Sequence, residues 1–112
     1  SYGKEYITDG PTKVATVPVG YADGYVRATA KEGLMLAGGK KVRILGRICM
    51  DQCMVDLGFN NTEVKRWDKV IIYGPKDNEA LQDANDIATM TNTIPYEIMT
   101  SICAKRVQKY FI

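Results

Sequence analysis

Two short β-prone runs separated by a pair of glycines constrain this chain more than any other feature. Residues 33–37 lead directly into Gly38 and Gly39, and Lys40–Leu45 then alternates between polar and apolar side chains. Adjacent glycines supply the positive φ angles that a two-residue hairpin turn requires. The pattern therefore predicts an antiparallel β-hairpin, and with it a fold built on an antiparallel sheet.

Further β-prone segments lie on both sides of this hairpin. Residues 16–19 end at Gly20, residues 49–57 follow the hairpin, and residues 69–73 end at a Gly-Pro pair. A last strand is predicted over residues 106–112. Short strands at this spacing are typical of a small β-barrel or a β-sandwich.

The hydrophobic period changes only after Gly74. Apolar and small residues then recur about one helical face apart, which predicts a helix with Asp83 or Asn85 as its N-cap. Pro95 suits the first turn of a second short helix. The residues of the first helical face are Leu81, Ala84, Ile87, Ala88 and Thr91.

Length and charge limit the possible partners. The 112 residues suffice for one hydrophobic core, and 15 Lys and Arg against 13 Asp and Glu leave a formal net charge of +2. The basic residues are scattered, so nucleic acid is not an expected partner. Apolar runs fall far short of the about 20 residues of a membrane span, and no signal-like segment opens the chain. We therefore expect a cytoplasmic protein with no membrane partner.

The three cysteines, Cys49, Cys53 and Cys103, are an odd number, which argues against a disulfide framework. We expect reduced, buried thiols. The alternative is a metal site on the segment Cys-Met-Asp-Gln-Cys. The chain has no histidine and this spacing is not that of a zinc site, so no metal is predicted.

Two segments carry more glycine, tyrosine and charge than a barrel requires. One is VPVGYADGYVR, residues 17–27, and the other is GRICMDQCM, residues 46–54. Taken alone, each is most simply a turn with a solvated charge and an aromatic side chain over the core. Single motifs of this kind do not decide function.

The order and spacing of the motifs are more specific. SYG opens the chain, followed by VPVGYADGYVR, GRICMDQCMVDL, TIPYEI and AKRV. In this arrangement they resemble the C-terminal β-domain of alanine racemase, an enzyme that uses pyridoxal 5′-phosphate (PLP), and the resemblance covers residues 1–112. It implies a mainly β fold, a small antiparallel β-barrel-like domain with one or two short helices.

The resemblance also implies a longer enzyme. In that family a TIM-type barrel precedes this domain, carries the lysine that binds PLP, and makes most of the contacts to the cofactor. We therefore expect that Ser1 lies at a cut in a longer chain. Residues 1–112 alone, without that lysine, are expected to fold but to be inactive.

Racemisation assigns a role to Tyr2 through the same resemblance. A proton leaves one face of the α-carbon and a proton returns to the other, with PLP as electron sink. In the family, one base is the lysine of the barrel and the other is a tyrosine that reaches into the active site of the partner subunit of a homodimer. Tyr2 resembles this tyrosine. A phenol with a pKa of about 10 needs neighbours that favour phenolate or relay its proton. The resemblance implies that the substrates are L- and D-alanine and that D-alanine serves as a peptidoglycan precursor.

The resemblance implies roles for seven further residues. Met50 resembles the residue whose backbone N–H binds the substrate carboxylate, and Tyr96 resembles the tyrosine that hydrogen-bonds the PLP phosphate. Five further positions resemble the lining of the entrance to the active site: Tyr21, Arg27, Arg47, Asp51 and Ile94.

The chain departs from the family pattern at two positions beside the site. Pro95 stands where many relatives have Asn, and Gln108 stands where many have Pro. Tyr96 favours alanine, because the related serine racemases have a smaller polar residue there. Two alternatives remain open: a serine or broad-specificity amino-acid racemase domain, and a stand-alone small-barrel interaction module.

Overall fold

The structure, a computed structural model, describes residues 10–59, 61, 63–76, 79–102 and 107–108. The strands are β1 (Val14–Val17), β2 (Leu34–Ala37), β3 (Lys40–Leu45), β4 (Cys53–Asp56) and β5 (Val70–Ile71). The helices are α1 (Ala84–Thr91) and α2 (Pro95–Thr100), and two short 3₁₀ helices cover Tyr21–Asp23 and Arg27–Ala30.

The strands form a curled antiparallel sheet with the order β1-β4-β3-β2-β5. Strands β2 and β3 make the hairpin that the glycine pair predicts, with Ala37 opposite Lys40. Gly38 and Gly39 adopt φ angles of 54° and 82°, in the left-handed region that the turn requires. The predicted fold class, mainly β and barrel-like with two short helices, is confirmed.

The hydrophobic core is built on one face of this sheet. Alternate residues of β2, β3 and β4 point inward, so Met35, Val42 and Val55 are buried while their sequence neighbours are more exposed. Each such side chain contributes about 1.5–3 kcal/mol through its burial. The core also includes Val17, Tyr25, Ala37, Ile44, Ile48, Cys53, Leu57 and Val64.

Helices α1 and α2 pack on each other through Ile87, Ala88 and Ile98. Asp83 is the N-cap of α1, as predicted: its Oδ1 accepts a hydrogen bond from the Asp86 N–H at 2.9 Å. Pro95 occupies the first turn of α2, also as predicted. Neither these helices nor any other in the described part of the chain has the length and hydrophobicity to cross a membrane.

Several strand boundaries differ from the prediction, and strand β5, predicted over residues 69–73, covers only Val70–Ile71. Strand β1 is Val14–Val17, not residues 16–19, and Pro18, which has no N–H to donate to a ladder, follows its end. Strand β4 begins only at Cys53, since the Cys49 N–H donates to the Gln52 carbonyl at 2.9 Å and closes a turn. The strand predicted over residues 106–112 lies outside the described residues except at 107–108, which are not in a strand.

Candidate functional site

The segment after β1 forms a tight turn that two reciprocal hydrogen bonds close. The Gly20 N–H donates to Asp23 Oδ2 at 2.9 Å, and the Asp23 N–H donates to the Gly20 carbonyl at 3.0 Å. Gly24 then ends the turn at a φ of 102°. Asp23 is only 5% exposed, so the prediction of a solvated charge in this motif is wrong at Asp23.

This turn pairs with the loop before β4 through the backbone. The Tyr21 N–H donates to the Cys49 carbonyl at 3.1 Å, and the Ala22 N–H donates to the Met50 carbonyl at 2.8 Å. Gly20 makes the approach possible, because a Cβ there would lie 2.2 Å from the Cys49 carbonyl oxygen. The two glycine-containing motifs of the sequence therefore meet in space.

Met50 stands at the outer end of this pairing. Its side chain is 53% exposed, and no residue in the described ranges accepts a hydrogen bond from its backbone N–H. The Cys49 carbonyl and the Met50 N–H belong to the same peptide group, and a trans peptide directs its C=O and N–H to opposite sides. Because the Cys49 carbonyl faces Tyr21, the Met50 N–H points away from Tyr21. The arrangement is a main-chain donor of fixed direction, which suits a carboxylate or another anion.

Helix α2 reaches the same turn through its C-terminal end. A Cβ on Gly24 would lie 2.5 Å from the Ser101 carbonyl oxygen. The Ser101 Oγ, which donates to the Ile98 carbonyl at 2.7 Å, also lies 3.4 Å from the Gly24 carbonyl oxygen. Ile94 and Tyr96 lie at the opposite end of α2, where their side chains are 59% and 73% exposed. An exposed phenol hydroxyl is a donor suited to a phosphate oxygen.

Three of the predicted entrance residues belong to the two segments that the backbone pairing at Met50 joins. Tyr21 and Asp51 are exposed and flank the hydrogen-bonded pairing at Met50, whereas Arg47 is partly buried just before it. Arg27 is exposed at the start of the second 3₁₀ helix. Tyr2 lies outside the described residues.

The thiols of Cys49 and Cys53 are buried and form no disulfide, as predicted. Burial, and then the neighbouring Cys49, raise the pKa of Cys53 to about 12, so its thiol stays protonated and unreactive at neutral pH. Cys103 lies outside the described residues. In the described ranges no three His, Cys, Asp or Glu side chains converge on a possible metal position.

Gly20 and Asp23 were not among the predicted site residues, although both lie in the motif VPVGYADGYVR. The local sequence does contain a signal for this turn. A glycine followed three positions later by Asp, and then by a second glycine, is typical of a capped turn. The close approach to Cys49 was not predictable from local sequence, because it depends on a distant segment.

Fold and site together define a class: a mainly β domain in which a glycine turn pairs with a neighbouring loop whose Met50 N–H has no acceptor among the described residues. The family profile described as "Alanine racemase, C-terminal domain" matches residues 1–111. The chain belongs to this family.

Curated relatives agree. The alanine racemase of Clostridium novyi is 43% identical over 112 residues, which is the whole of this chain and 28% of that protein. Alanine racemase 2 of Bacillus subtilis is also 43% identical over 112 residues, with the same coverage. The chain thus spans little more than a quarter of the length of these relatives.

Solved structures share the fold. An alanine racemase from a D-cycloserine-producing Streptomyces lavendulae superposes with a TM-score of 0.82 at 42% identity, over 94% of this chain and 27% of that chain. An alanine racemase from Bartonella henselae with covalently bound pyridoxal phosphate superposes with a TM-score of 0.83 at 34% identity, over 98% and 29%.

Proposed function

We propose that this chain is the C-terminal domain of a cytoplasmic, PLP-dependent alanine racemase that interconverts L- and D-alanine and supplies D-alanine for peptidoglycan precursors. The enzyme works as a homodimer, and a barrel domain outside residues 1–112 holds most of the cofactor. Bound PLP withdraws electrons from the α-carbon of the amino acid, so that its proton can leave. The residues below act around that carbon.

The observation that carries this proposal is the main-chain donor at Met50. Its N–H has no acceptor among the described residues, and the peptide that contains it is held through the Cys49 carbonyl by the Tyr21 N–H at 3.1 Å. Fixed donors bind an anion without the cost of reorganising a side chain. The Met50 N–H binds the carboxylate of alanine and fixes the α-carbon between the two bases.

Tyr2 is the acid–base residue that this domain contributes. Its phenolate takes the α-proton from one face of L-alanine, and its hydroxyl returns a proton to that face in the reverse direction. It acts in the active site of the partner subunit, so each site contains residues of both chains. The chain has no histidine, so a relay through imidazole requires the other domain.

The hydroxyl of Tyr96 donates a hydrogen bond to the PLP phosphate, and its ring limits the space beside the substrate. Its side chain is 73% exposed on the first turn of α2, so the hydroxyl is available to a group from outside this domain. The entrance to the site is lined by Tyr21, Arg27, Arg47, Asp51 and Ile94.

The proposal is tested with the complete gene product that contains residues 1–112, assayed with PLP for conversion of L- into D-alanine. We expect Tyr2→Phe to lower kcat by about 10²–10⁴-fold, the range that general acid–base catalysis supplies. Tyr73→Phe is the matched control, since the buried Tyr73 hydroxyl has no hydrogen-bond partner in the part of the chain that the structure describes. Equal rates for the two variants would contradict the role of Tyr2. Residues 1–112 alone are expected to show no activity.

Substrate choice has its own test. We expect Tyr96→Asn to shift the ratio of kcat/KM for serine over alanine upward by about tenfold, the effect of a small change in pocket volume and polarity. An unchanged ratio would remove Tyr96 as the reason for alanine specificity. A wild-type enzyme that prefers serine would favour the serine racemase alternative.

A further inference from the structure

Both peptide groups that flank the Met50 α-carbon are tied to one turn. The Cys49 carbonyl accepts from the Tyr21 N–H at 3.1 Å, and the Met50 carbonyl accepts from the Ala22 N–H at 2.8 Å. Because a peptide group is planar, rotation that redirects the Met50 N–H also moves the Cys49 carbonyl and breaks the first of these bonds. The direction of the Met50 N–H therefore depends on where Tyr21 and Ala22 place their own N–H groups.

The turn itself depends on Gly20 and Asp23. The Asp23 carboxylate, 5% exposed, accepts from the Gly20 N–H at 2.9 Å and holds the turn closed from inside the protein. Gly20 allows the turn to lie against the loop, because a Cβ would approach the carbonyl oxygens of Cys49 and Met50 to 2.2 and 2.5 Å. Gly20 has no side chain, and the side chain of Asp23 is buried.

We propose that Gly20 and Asp23 are positioning residues that aim the Met50 N–H at the substrate carboxylate. This inference rests on the proposed function, which assigns that carboxylate to Met50. The carboxylate is bound in the ground state and in the transition state alike, so a misaimed donor weakens both equally. Such a loss raises KM and changes kcat little.

Inhibition by propionate isolates the carboxylate contact, because propionate is alanine without its amino group. In the complete gene product we expect Asp23→Ala to raise the inhibition constant of propionate and the KM for alanine by about tenfold, the weight of one hydrogen bond to a charged group. Asp23→Asn, whose amide oxygen can still accept from the Gly20 N–H, is expected to restore most of the affinity.

Asp68→Ala is the matched control. Asp68 Oδ2 accepts from the Lys65 N–H at 2.8 Å in a turn of the same type, and this turn is exposed and makes no described contact with Met50. We expect it to leave the inhibition constant of propionate unchanged. Gly20→Ala should raise that constant as Asp23→Ala does, whereas Gly10→Ala, whose Cβ would meet nothing within 4 Å, should not.

A direct readout does not depend on turnover. In protein labelled with ¹⁵N-methionine, the amide signal of Met50 should shift on addition of propionate, and Asp23→Ala should abolish most of that shift. If Asp23→Ala does not fold, Asp23→Glu, which displaces the carboxylate by one methylene, is measured in its place. Unchanged propionate inhibition and an unchanged Met50 signal in a folded variant would overturn the positioning role. Failure of the proposed function looks different: wild-type protein would then show no racemisation, and Tyr2→Phe would change nothing.

Discussion

Two turns of this protein share one local design but differ in their surroundings. In the turn Gly20–Asp23, the first N–H donates to the carboxylate at 2.9 Å, and the Asp23 N–H donates back to the Gly20 carbonyl at 3.0 Å. In the turn Lys65–Asp68, the corresponding distances are 2.8 and 3.1 Å. The first turn is buried against another loop, whereas the second carries Trp67, which is 93% exposed.

The surroundings of each turn decide what the turn does. A carboxylate cap closes either turn, but only the turn at Gly20 lacks the Cβ that would keep a second backbone away. The turn at Lys65 instead contains Trp67 at a φ of 74°, a conformation that bulky residues rarely adopt. The first turn therefore orders a distant peptide group, while the second only reverses the chain and stores strain.

Gly20→Ala should separate the two turns most strongly. The added Cβ would overlap the carbonyl oxygens of Cys49 and Met50, and backbone atoms cannot move aside as a flexible side chain does. We expect the free energy of unfolding of the 112-residue chain to fall by about 3 kcal/mol in urea titrations. Gly10→Ala is the control, and an equal midpoint for both variants would show that the pairing with the loop is loose.

Removing each carboxylate compares the turns directly. Asp23→Ala leaves a buried Gly20 N–H without its acceptor, which we expect to cost about 2 kcal/mol of unfolding free energy. Asp68→Ala exposes the Lys65 N–H to water, which replaces the lost acceptor, so the cost should stay below about 1 kcal/mol. Urea titrations measure the unfolding free energy of both variants. A larger loss for Asp68→Ala than for Asp23→Ala would contradict the structural importance of the buried turn.

Trp67→Gly should stabilise the exposed turn. A bulky residue at this positive φ costs about 1–2 kcal/mol, and glycine removes that cost while adding some freedom to the unfolded chain. We expect a net gain of about 0.5–1 kcal/mol in the same titrations. Trp67→Ala keeps the strain and removes the ring, so a gain of equal size there would assign the effect to the ring instead of the backbone.

The smallest effect concerns the start of α1, where a carboxylate also accepts a hydrogen bond from the N–H three residues before it. The Asp83 N–H donates to Asp86 Oδ2 at 3.0 Å, and Lys76 Nζ lies 2.8 Å from the same oxygen. The hydrogen bond from Lys76, followed by one from the Asp83 backbone, holds the pKa of Asp86 below its ordinary value of 3.8. A carboxyl with a lowered folded-state pKa stabilises the protein above its ordinary pKa, and this contribution is lost as the pH falls through the folded value.

Lys76→Met therefore tests the ion pair through its pH dependence. We expect the loss of stability between neutral pH and pH values below the ordinary value of 3.8 to be slightly smaller in the variant than in the wild type. Thermal melting at a series of pH values measures it. Parallel curves for the two proteins would show that the exposed pair contributes nothing measurable, as many surface pairs do.

Local pattern predicted the fold well. The glycine pair fixed the β2–β3 hairpin, and Asp83 and Pro95 marked the starts of both helices, because turns and caps are set by neighbouring residues. Strand ends were less predictable, as at Cys53, because a turn bond to Gln52 competes with the ladder. The motifs predicted the family, which the comparisons confirm.

The site was only partly predictable. The resemblance predicted Met50 and Tyr21 as site residues. It did not predict that the Tyr21 N–H would bind the Cys49 carbonyl, because this contact requires Gly20 to pack against a loop that is distant in sequence. Burial of Asp23 is equally non-local, since its environment comes from packing that no short window contains. The roles of Tyr2, Met50, Tyr96 and the entrance residues stay predictions.

Exchange of the α-proton with solvent tests the role of Tyr2 as a base. Deuterium incorporation is measured separately from L-alanine and from D-alanine in D₂O, with PLP, for the complete gene product and for Tyr2→Phe. We expect Tyr2→Phe to abolish exchange from L-alanine and to spare much of the exchange from D-alanine, because each base serves one face. Exchange that is unchanged from both enantiomers would contradict this role, and Tyr2 would then be a structural residue.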